Sequence, residues 1–265
     1  MIKRLYTYWH VWLVLSANAL QETFVNRGSN FLFFLGKVIR LFMSVVFLLL
    51  IQKTIKVFAG YSVDQVLIFF LTYNLIDTLA QTIYRGVYTF SWQVRQGEFD
   101  FTLTKPVNVL FVSLFGTPDI NDAIFLIPTL VISGWLVSTL HLTFTLTNIV
   151  WYLILFANGF LIATAFHILA LVVGLLTTEV DGVMWLYRDF SRLSQFPVTI
   201  YLAPIRLALF FILPFGMMVT IPAQALLGLP LSYSASIAIL LGLVFFLLSL
   251  VAWKYAMRSY SSAGG

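Results

Sequence analysis

The chain has 265 residues, of which 61% are hydrophobic and only 9% are charged, and its formal net charge is +5. Soluble domains carry about 25% charged residues, so this composition excludes an ordinary water-soluble fold and predicts an all-α polytopic membrane protein. The chain has no cysteine, which excludes disulfides, thiolate metal sites and cysteine nucleophiles. The excess of Lys and Arg is interpreted as a topology signal, and no nucleic-acid partner is expected.

The chain opens on an amphipathic segment. In residues 3–22, polar side chains recur at helical spacing, and aromatic and aliphatic side chains fill the other faces. This pattern is typical of a helix that lies in the membrane interface. A signal peptide is the alternative, since the chain begins with Met1 and a short basic segment, and Ala17-Asn18-Ala19 offers the small residues of a cleavage site. Tyr6, Tyr8 and His10 interrupt the apolar core that a signal peptide needs.

Six apolar segments that are long enough to span a bilayer follow. They are residues 31–51, 63–84, 123–140, 149–176, 201–221 and 235–253. Pro214 lies in the middle of the fifth segment, where a proline favours a kink. Residues 177–198 are polar and are expected to form a cytosolic loop after span four. The whole chain, residues 1–265, is therefore predicted to be a single transmembrane domain.

Basic residues are distributed unevenly about these spans. With the amino terminus in the cytosol, every Lys and Arg except Lys53 and Lys56 lies in or near a cytosolic segment. The bias of basic residues toward the cytosol therefore predicts six spans with both termini inside.

The most polar connection between spans, residues 85–106, joins spans two and three. Gly97 suits a helix stop in the left-handed region, and Asp100 is a candidate cap for a short helix that begins near Phe101. Pro106 then fixes the exit of the chain. An ordinary solvated loop is the alternative interpretation.

A pattern in this connection resembles a known family. Gly97-x-x-Asp100-x-x-Leu103-x-Lys105-Pro106, placed after a second span, resembles the membrane subunit of ABC-2 type ATP-binding-cassette (ABC) transporters. Further sequence elements resemble those of a small six-span bacterial branch of these permeases. These elements are Phe196-Pro197-x-x-x-Tyr201, Pro214, Pro222-Ala223, and the tail that runs from Arg258-Ser259-Tyr260 to residue 264. One departure is the short connection of residues 222–232, which leaves little room for the re-entrant helices that better-studied ABC-2 exporters have there.

The resemblance implies a permease subunit of an exporter in the bacterial inner membrane. Such permeases work as pairs of identical or sister chains among the membrane lipids, and each pair docks two ABC ATPase subunits. Alternating access would move a hydrophobic or lipid-like substrate. ATP and magnesium belong to the ATPase, and no cofactor is expected in this chain, which has no phosphate-binding loop. The coupling loop would be residues 85–106, with Arg95, Gly97, Glu98, Asp100, Leu103, Lys105 and Pro106 as its ATPase-coupling residues.

Polar residues also occur inside the spans. Asn74, Asp77, Thr78, Gln81 and Arg85 share one face of span two. With His167 of span four, Asn74, Asp77 and Gln81 are candidates for lining a substrate path or the seam of a dimer. The alternatives are a structural hydrogen-bond network for Asp77, and for His167 a buried imidazole bonded to a neighbouring helix. Arg206 in span five either reaches the cytosolic edge or pairs with Asp77.

Two other functions stay open. An ion-gradient-driven secondary carrier that acts without an ATPase would use Asp77 and His167, although the chain shows no clear internal repeat. A membrane enzyme acting on lipids would need acids and histidines together. His10, His141 and His167 are scattered, so no metal-binding motif is predicted.

Overall fold

The computed structural model describes residues 2–25, 27–54, 57–58, 60–140 and 142–261, and for residues 2–5, 22–23, 52–54 and 58 it describes the backbone alone. Within these ranges the chain is helical almost throughout. Of the residues singled out from the sequence, Met1, Lys56, His141 and residues 262–264 lie outside the described ranges.

The helices and strands are numbered in chain order. They are α1 (Ile2–Val25), α2 (Arg27–Thr54), β1 (Val57–Phe58), β2 (Tyr61–Ser62), α3 (Val63–Ile83), α4 (Phe90–Arg95), α5 (Glu98–Leu103), α6 (Val109–Phe115), α7 (Ile120–Thr139), α8 (Leu146–Thr177), α9 (Asp181–Arg192), α10 (Ala203–Leu207), α11 (Ile221–Leu226) and α12 (Ala235–Ser259). The two strands form an antiparallel hairpin between α2 and α3.

Five helices are long and apolar enough to cross a bilayer, and they are α2, α3, α7, α8 and α12. They match five of the six predicted spans with shifts of a few residues. Helix α8 has 32 residues, so it is about 48 Å long and exceeds the ~30 Å thickness of a hydrocarbon core. The chain is therefore an all-α polytopic membrane protein, as predicted, while the direction of insertion stays a prediction.

The fifth predicted span is a bent pair of helical segments. Ala203–Ile212 and Gly216–Leu226 are inclined to each other by 79° around Pro214. Each segment contains a π-helical turn, at Ala208–Ile212 and at Gly216–Thr220. A proline cannot donate the backbone hydrogen bond of a continuous helix, which explains the break. The predicted kink is confirmed.

Gln224 of the second segment donates to the hydroxyl of Tyr61 at 3.1 Å, and Thr199, just before the first segment, lies 3.0 Å from the same hydroxyl. Both ends of the pair therefore lie where α3 begins, which is the geometry of a re-entrant loop rather than of a sixth span.

An amphipathic helix packs on the bundle by one face. The sequence predicts residues 177–198 to be a polar cytosolic loop, but residues 181–192 form α9, in which Met184, Tyr187 and Ser191 are buried and Trp185 is exposed. The ring of Tyr187 lies 4.9 Å from the ring of His167 in α8. The loop prediction is wrong, because a hydropathy average combines the buried and the exposed faces of an amphipathic helix.

The chain from α9 onward runs antiparallel to α3. Arg192 and Gln195, at the end of α9 and just after it, line the smaller cavity together with Tyr73, which lies in the middle of α3. Thr199 Oγ1 lies 3.0 Å from the hydroxyl of Tyr61, which precedes α3. The polar stretch therefore runs alongside a membrane span, where its side chains face those of α3.

Helix α1 lies against α6. The hydroxyl of Tyr8 accepts a hydrogen bond of 3.1 Å from the backbone N–H of Asn108, and the Tyr8 ring meets Phe111 edge-on at 4.9 Å. Trp9 and Leu13 are exposed on the same helix. Exposed aromatic and aliphatic side chains suit a membrane interface, and the assignment of α1 to that interface stays a prediction.

Small residues allow close packing around α8. The amide of Asn158 in α8 donates to the carbonyl oxygen of Ala238 in α12 at 3.0 Å. Gly159 faces the backbone of Met218, and a methyl group at Gly159 would overlap the carbonyl oxygen of Met218. Helix α8 is thus the central helix, against which α12 and the segment Gly216–Leu226 pack.

The close approach at Gly159 predicts opposite effects for two identical substitutions. We expect Gly159→Ala to lower the melting temperature in detergent, because the added methyl group overpacks the contact with Met218 at a cost of about 1–3 kcal/mol. Gly134→Ala in α7 is the matched control, since no atom lies within 4 Å of the added group. There the better helix propensity of alanine predicts an unchanged or higher melting temperature. Equal melting temperatures for the two variants would contradict the packing described for α8.

Candidate functional site

The connection between α3 and α7 folds into short helices at one end of the bundle. This end, called the α5 end, is where α3 finishes and where α2 and α7 begin. Gly97 has a φ of +72°, a left-handed conformation that glycine adopts without steric cost. It ends α4 and starts α5 at once. The predicted helix stop is confirmed, but α5 begins at Glu98 rather than near Phe101. Asp100 therefore lies in its first turn and is not its cap.

Helix α5 has one buried and one exposed face. Phe99 is 1% exposed, and its ring lies 5.1 Å from Phe90 and 5.1 Å from Tyr260. Phe101 is 71% exposed and Leu103 is 37% exposed. Glu98, Lys105 and Pro106 are exposed as well. The buried aromatic side chain anchors the helix, and the outer face offers apolar groups beside charged ones.

Polar contacts attach the short helices to two long ones. Tyr260, just beyond α12, donates its hydroxyl to Asp100 Oδ1 at 2.9 Å. Arg95 donates from Nη1 to the carbonyl oxygen of Thr178 at 2.9 Å and to Glu179 Oε1 at 3.2 Å, directly after α8. The predicted coupling residues Arg95 and Asp100 thus connect α4 to the end of α8 and α5 to the end of α12.

The polar face predicted for span two borders two neighbouring cavities. Asp77 and Gln81 line a cavity of about 670 Å³ between α2, α3, α7 and α9, and Asn74 and Asp77 line a second one of about 270 Å³. Asn74 donates to the carbonyl oxygen of Phe70 at 2.8 Å, and Gln81 donates to the hydroxyl of Tyr88 at 2.9 Å. The structure therefore brings Asn74, Asp77 and Gln81 to one side of α3.

Charges of both signs line the larger cavity. Lys37 pairs with Asp122, and Arg85 Nε lies 3.4 Å from Asp119 Oδ2. Arg40 and Arg188 line both cavities together with Asp77. Arg206, the partner that the sequence suggested for Asp77, is not among the lining residues.

His167 lies apart from this cluster. It is fully buried between the rings of Tyr84, at 4.8 Å, and Tyr187, at 4.9 Å. Its Nδ1 hydrogen-bonds the carbonyl oxygen of Ala163 at 2.8 Å. The predicted bond to a neighbouring helix is therefore wrong, because Nδ1 bonds one turn earlier in its own helix and the buried Nε2 has no hydrogen-bond partner among the described residues. Among the described residues, no group of three or more His, Asp or Glu side chains is arranged to hold a metal ion.

Three contributors to this region do not follow from the sequence motifs, namely Arg188, the Lys37–Asp122 pair and Tyr260. A signal for α9 does exist, because Val180, Met184, Tyr187 and Ser191 recur at three- and four-residue spacing. Helical periodicity therefore finds α9 where hydropathy does not. The pairing of Lys37 with Asp122 joins residues 85 positions apart, and no local pattern predicts it.

Comparison with known proteins gives one positive result. A family profile described as "ABC-2 family transporter protein" matches residues 38–264, which include most of α2 and every helix from α3 to α12. No curated protein and no solved structure matches the chain significantly.

The two faces of α5 predict different effects for the same substitution. We expect Phe99→Ala to speed hydrogen exchange of the α5 amides strongly, because truncating a buried Phe costs about 3–5 kcal/mol. Phe101→Ala should leave exchange nearly unchanged, since that ring is exposed. The measurement is hydrogen–deuterium exchange of peptides covering residues 98–103. Equal exchange in both variants would show that Phe99 does not anchor the helix.

The contact between Tyr260 and Asp100 predicts a shifted titration. Burial and the hydrogen bond to Asp100 raise the pKa of Tyr260 to about 12, so its hydroxyl stays a donor well above neutral pH. At pH 10 an ordinary tyrosine is half ionised. We expect the phenolate absorbance of the chain and of Tyr260→Phe to be equal at pH 10 and to diverge near pH 12. Divergence centred at pH 10 would contradict the contact.

Proposed function

The chain belongs to the ABC-2 family of transporter proteins, whose members are membrane components and are not themselves catalytic, and from this premise we propose that it is the permease subunit of an ATP-driven exporter. The permease works as a dimer, with an identical or a sister chain, in the bacterial inner membrane. Two copies of a separate ATPase subunit bind its cytosolic face. They hold the ATP and magnesium, and their closure drives alternating access for a hydrophobic or lipid-like substrate.

The observation that carries this proposal is the outer face of α5. Phe101 and Leu103 are exposed on a six-residue helix whose inner face is fixed by Phe99. A rigidly held aromatic side chain loses little conformational entropy on binding, and such side chains dominate the energy of protein interfaces. Glu98 and Lys105 lie beside them and supply charge for a polar rim. The ATPase therefore docks on residues 85–106 at the α5 end.

The attachments of α5 supply a route for the motion. Tyr260 joins α5 to α12, and Arg95 joins α4 to the chain after α8. Because α8 and α12 pack along each other, a displacement of α5 acts on both helices together. The bent segment around Pro214, with its two π-helical turns, packs on α8 and is the element with a built-in break. It is the hinge in this proposal.

We expect Phe101→Ala and Leu103→Ala each to lower the amount of ATPase that co-purifies with the tagged chain. Loss of an interface hot spot costs about 2 kcal/mol or more, which corresponds to a tenfold or larger loss of affinity. The melting temperature should not change, because neither side chain is buried. The measurement is co-purification from native membranes in mild detergent, with mass spectrometry of the bound subunits.

Phe47→Ala is the matched control, since Phe47 is 60% exposed and lies in the second half of α2, which runs away from the α5 end. We expect it to retain the ATPase fully. Equal recovery of the ATPase with all three variants would remove α5 from the interface. A wild-type chain that purifies without any ATPase would favour an ion-gradient-driven carrier instead, with Asp77 as the first residue to change.

A further inference from the structure

The larger cavity has a ligand-sized volume and a defined place in the bundle. Its volume is about 670 Å³, within the range of small-molecule sites. Residues from the start of α2, the start of α7 and the end of α3 line its mouth, so it opens at the α5 end. Asp77, in the second half of α3, lines its deeper part. If the α5 end is cytosolic, as proposed above, the cavity is reached from the inner leaflet or the cytosol.

The charges around the cavity do not cancel pairwise. Lys37 and Asp122 form one pair, and Arg85 and Asp119 form another. Arg40, Arg188 and Asp77 also line the cavity. Among the described residues, none of these three is joined to an opposite charge within salt-bridge distance, although Arg188 also lies over the ring of Trp185 at 5.8 Å. Two guanidinium groups therefore face one carboxylate across open space.

A buried acceptor at the same cavity is also unsatisfied. Asp122 is 1% exposed, and its Oδ1 accepts from Lys37. Its Oδ2 is buried and has no hydrogen-bond partner among the described residues. A buried carboxylate oxygen without a donor is costly, and the paired Lys37 offsets part of that cost. Because this oxygen is enclosed by protein atoms, the carboxylate that a ligand can reach is that of Asp77, which lines both cavities.

The mouth of the cavity is lined partly by apolar side chains and partly by the Arg85–Asp119 pair. Leu32 and Phe33 of α2 line it, and they are 68% and 69% exposed. In a membrane helix these side chains face the hydrocarbon region or a hydrocarbon chain. Cationic groups deep in the cavity and apolar groups at its mouth match a molecule with a polar headgroup and an acyl chain.

We propose that this cavity binds the headgroup of a phosphate-bearing amphiphile, with Arg40 and Arg188 as the phosphate ligands. Guanidinium groups bind phosphate oxygens through paired N–H donors, which makes arginine better suited than lysine to this task. Hydroxyl or amine donors of the headgroup bind Asp77, and the acyl chain lies against Leu32 and Phe33. The inference rests on the proposed function, for which it specifies the substrate class.

The test measures binding to the purified full chain rather than transport. The wild-type chain in a neutral detergent is titrated by calorimetry with lysophosphatidylglycerol, which carries a phosphate, one acyl chain and three hydroxyl donors, two of them on the headgroup. Monoacylglycerol is the match without phosphate, and glycerophosphoglycerol is the match without an acyl chain. We expect lysophosphatidylglycerol to bind at least tenfold more tightly than either match.

Variants then assign the contact. We expect Arg40→Gln and Arg188→Gln each to weaken binding of lysophosphatidylglycerol about tenfold, since each removes charge-assisted hydrogen bonds. Arg188→Lys should lose less affinity, because lysine keeps the positive charge and lacks only the planar guanidinium group with its paired N–H donors. Arg258→Gln, which removes an exposed arginine in the last turn of α12, is the matched control and should bind as the wild type does. The size-exclusion profile shows whether each variant folds, and Arg188→Lys provides the comparison if a glutamine variant does not.

Each outcome decides one part of the proposal. Equal binding of lysophosphatidylglycerol and monoacylglycerol, or unchanged binding in all arginine variants, would overturn the phosphate site. Glycerophosphoglycerol binding as tightly as lysophosphatidylglycerol would support the phosphate site and overturn its lipid source in favour of a soluble phosphate ester. Co-purification of the ATPase is measured separately on Arg188→Gln, so loss of ligand binding with the ATPase retained would leave the permease assignment intact.

Discussion

A charge inside a membrane bundle is tolerated where an opposite charge or a polar cavity meets it, because the desolvation of an unpaired charge is costly. This constraint explains the arrangement around α3. Asp77 lies on the polar face of a membrane span, and α9 runs beside that span with Arg188 on the matching side. The start of α2 adds Lys37 and Arg40, and the start of α7 adds Asp119 and Asp122. The cavity and its charges therefore follow from placing one amphipathic helix among apolar ones.

At the α5 end, a single short helix has both a fixed inner face and an exposed outer face. Gly97 turns the chain sharply enough for a short helix to put Phe99 inward and Phe101 outward. The inner face is fixed by aromatic contacts with Phe90 and Tyr260 and by the hydrogen bond between Tyr260 and Asp100. One short helix thereby has a surface for a partner and a fixed attachment to the spans. These two properties together distinguish it from a solvated loop.

The sequence predicted the parts of the fold that local patterns determine. Five long apolar helices, the break at Pro214 and the helix stop at Gly97 were all confirmed, because hydrophobic length, a missing N–H and a left-handed φ act locally. The helix α9 was missed because the prediction relied on hydropathy, in which its polar face offsets Met184 and Tyr187. The partners of Asp77 and Asp122 lie far away in sequence, so only the fold brings them together. The roles of the candidate coupling and path residues stay predictions.

Site-specific cross-linking can show whether the outer face of α5 binds an ATPase. The chain contains no natural cysteine, so Phe101→Cys places a photoactivatable maleimide at one known position in native membranes. The account predicts a cross-link to an ATP-binding subunit whose yield changes when ATP is added. Cross-links confined to lipid or to the chain itself, with the labelled protein still folded, would contradict the account.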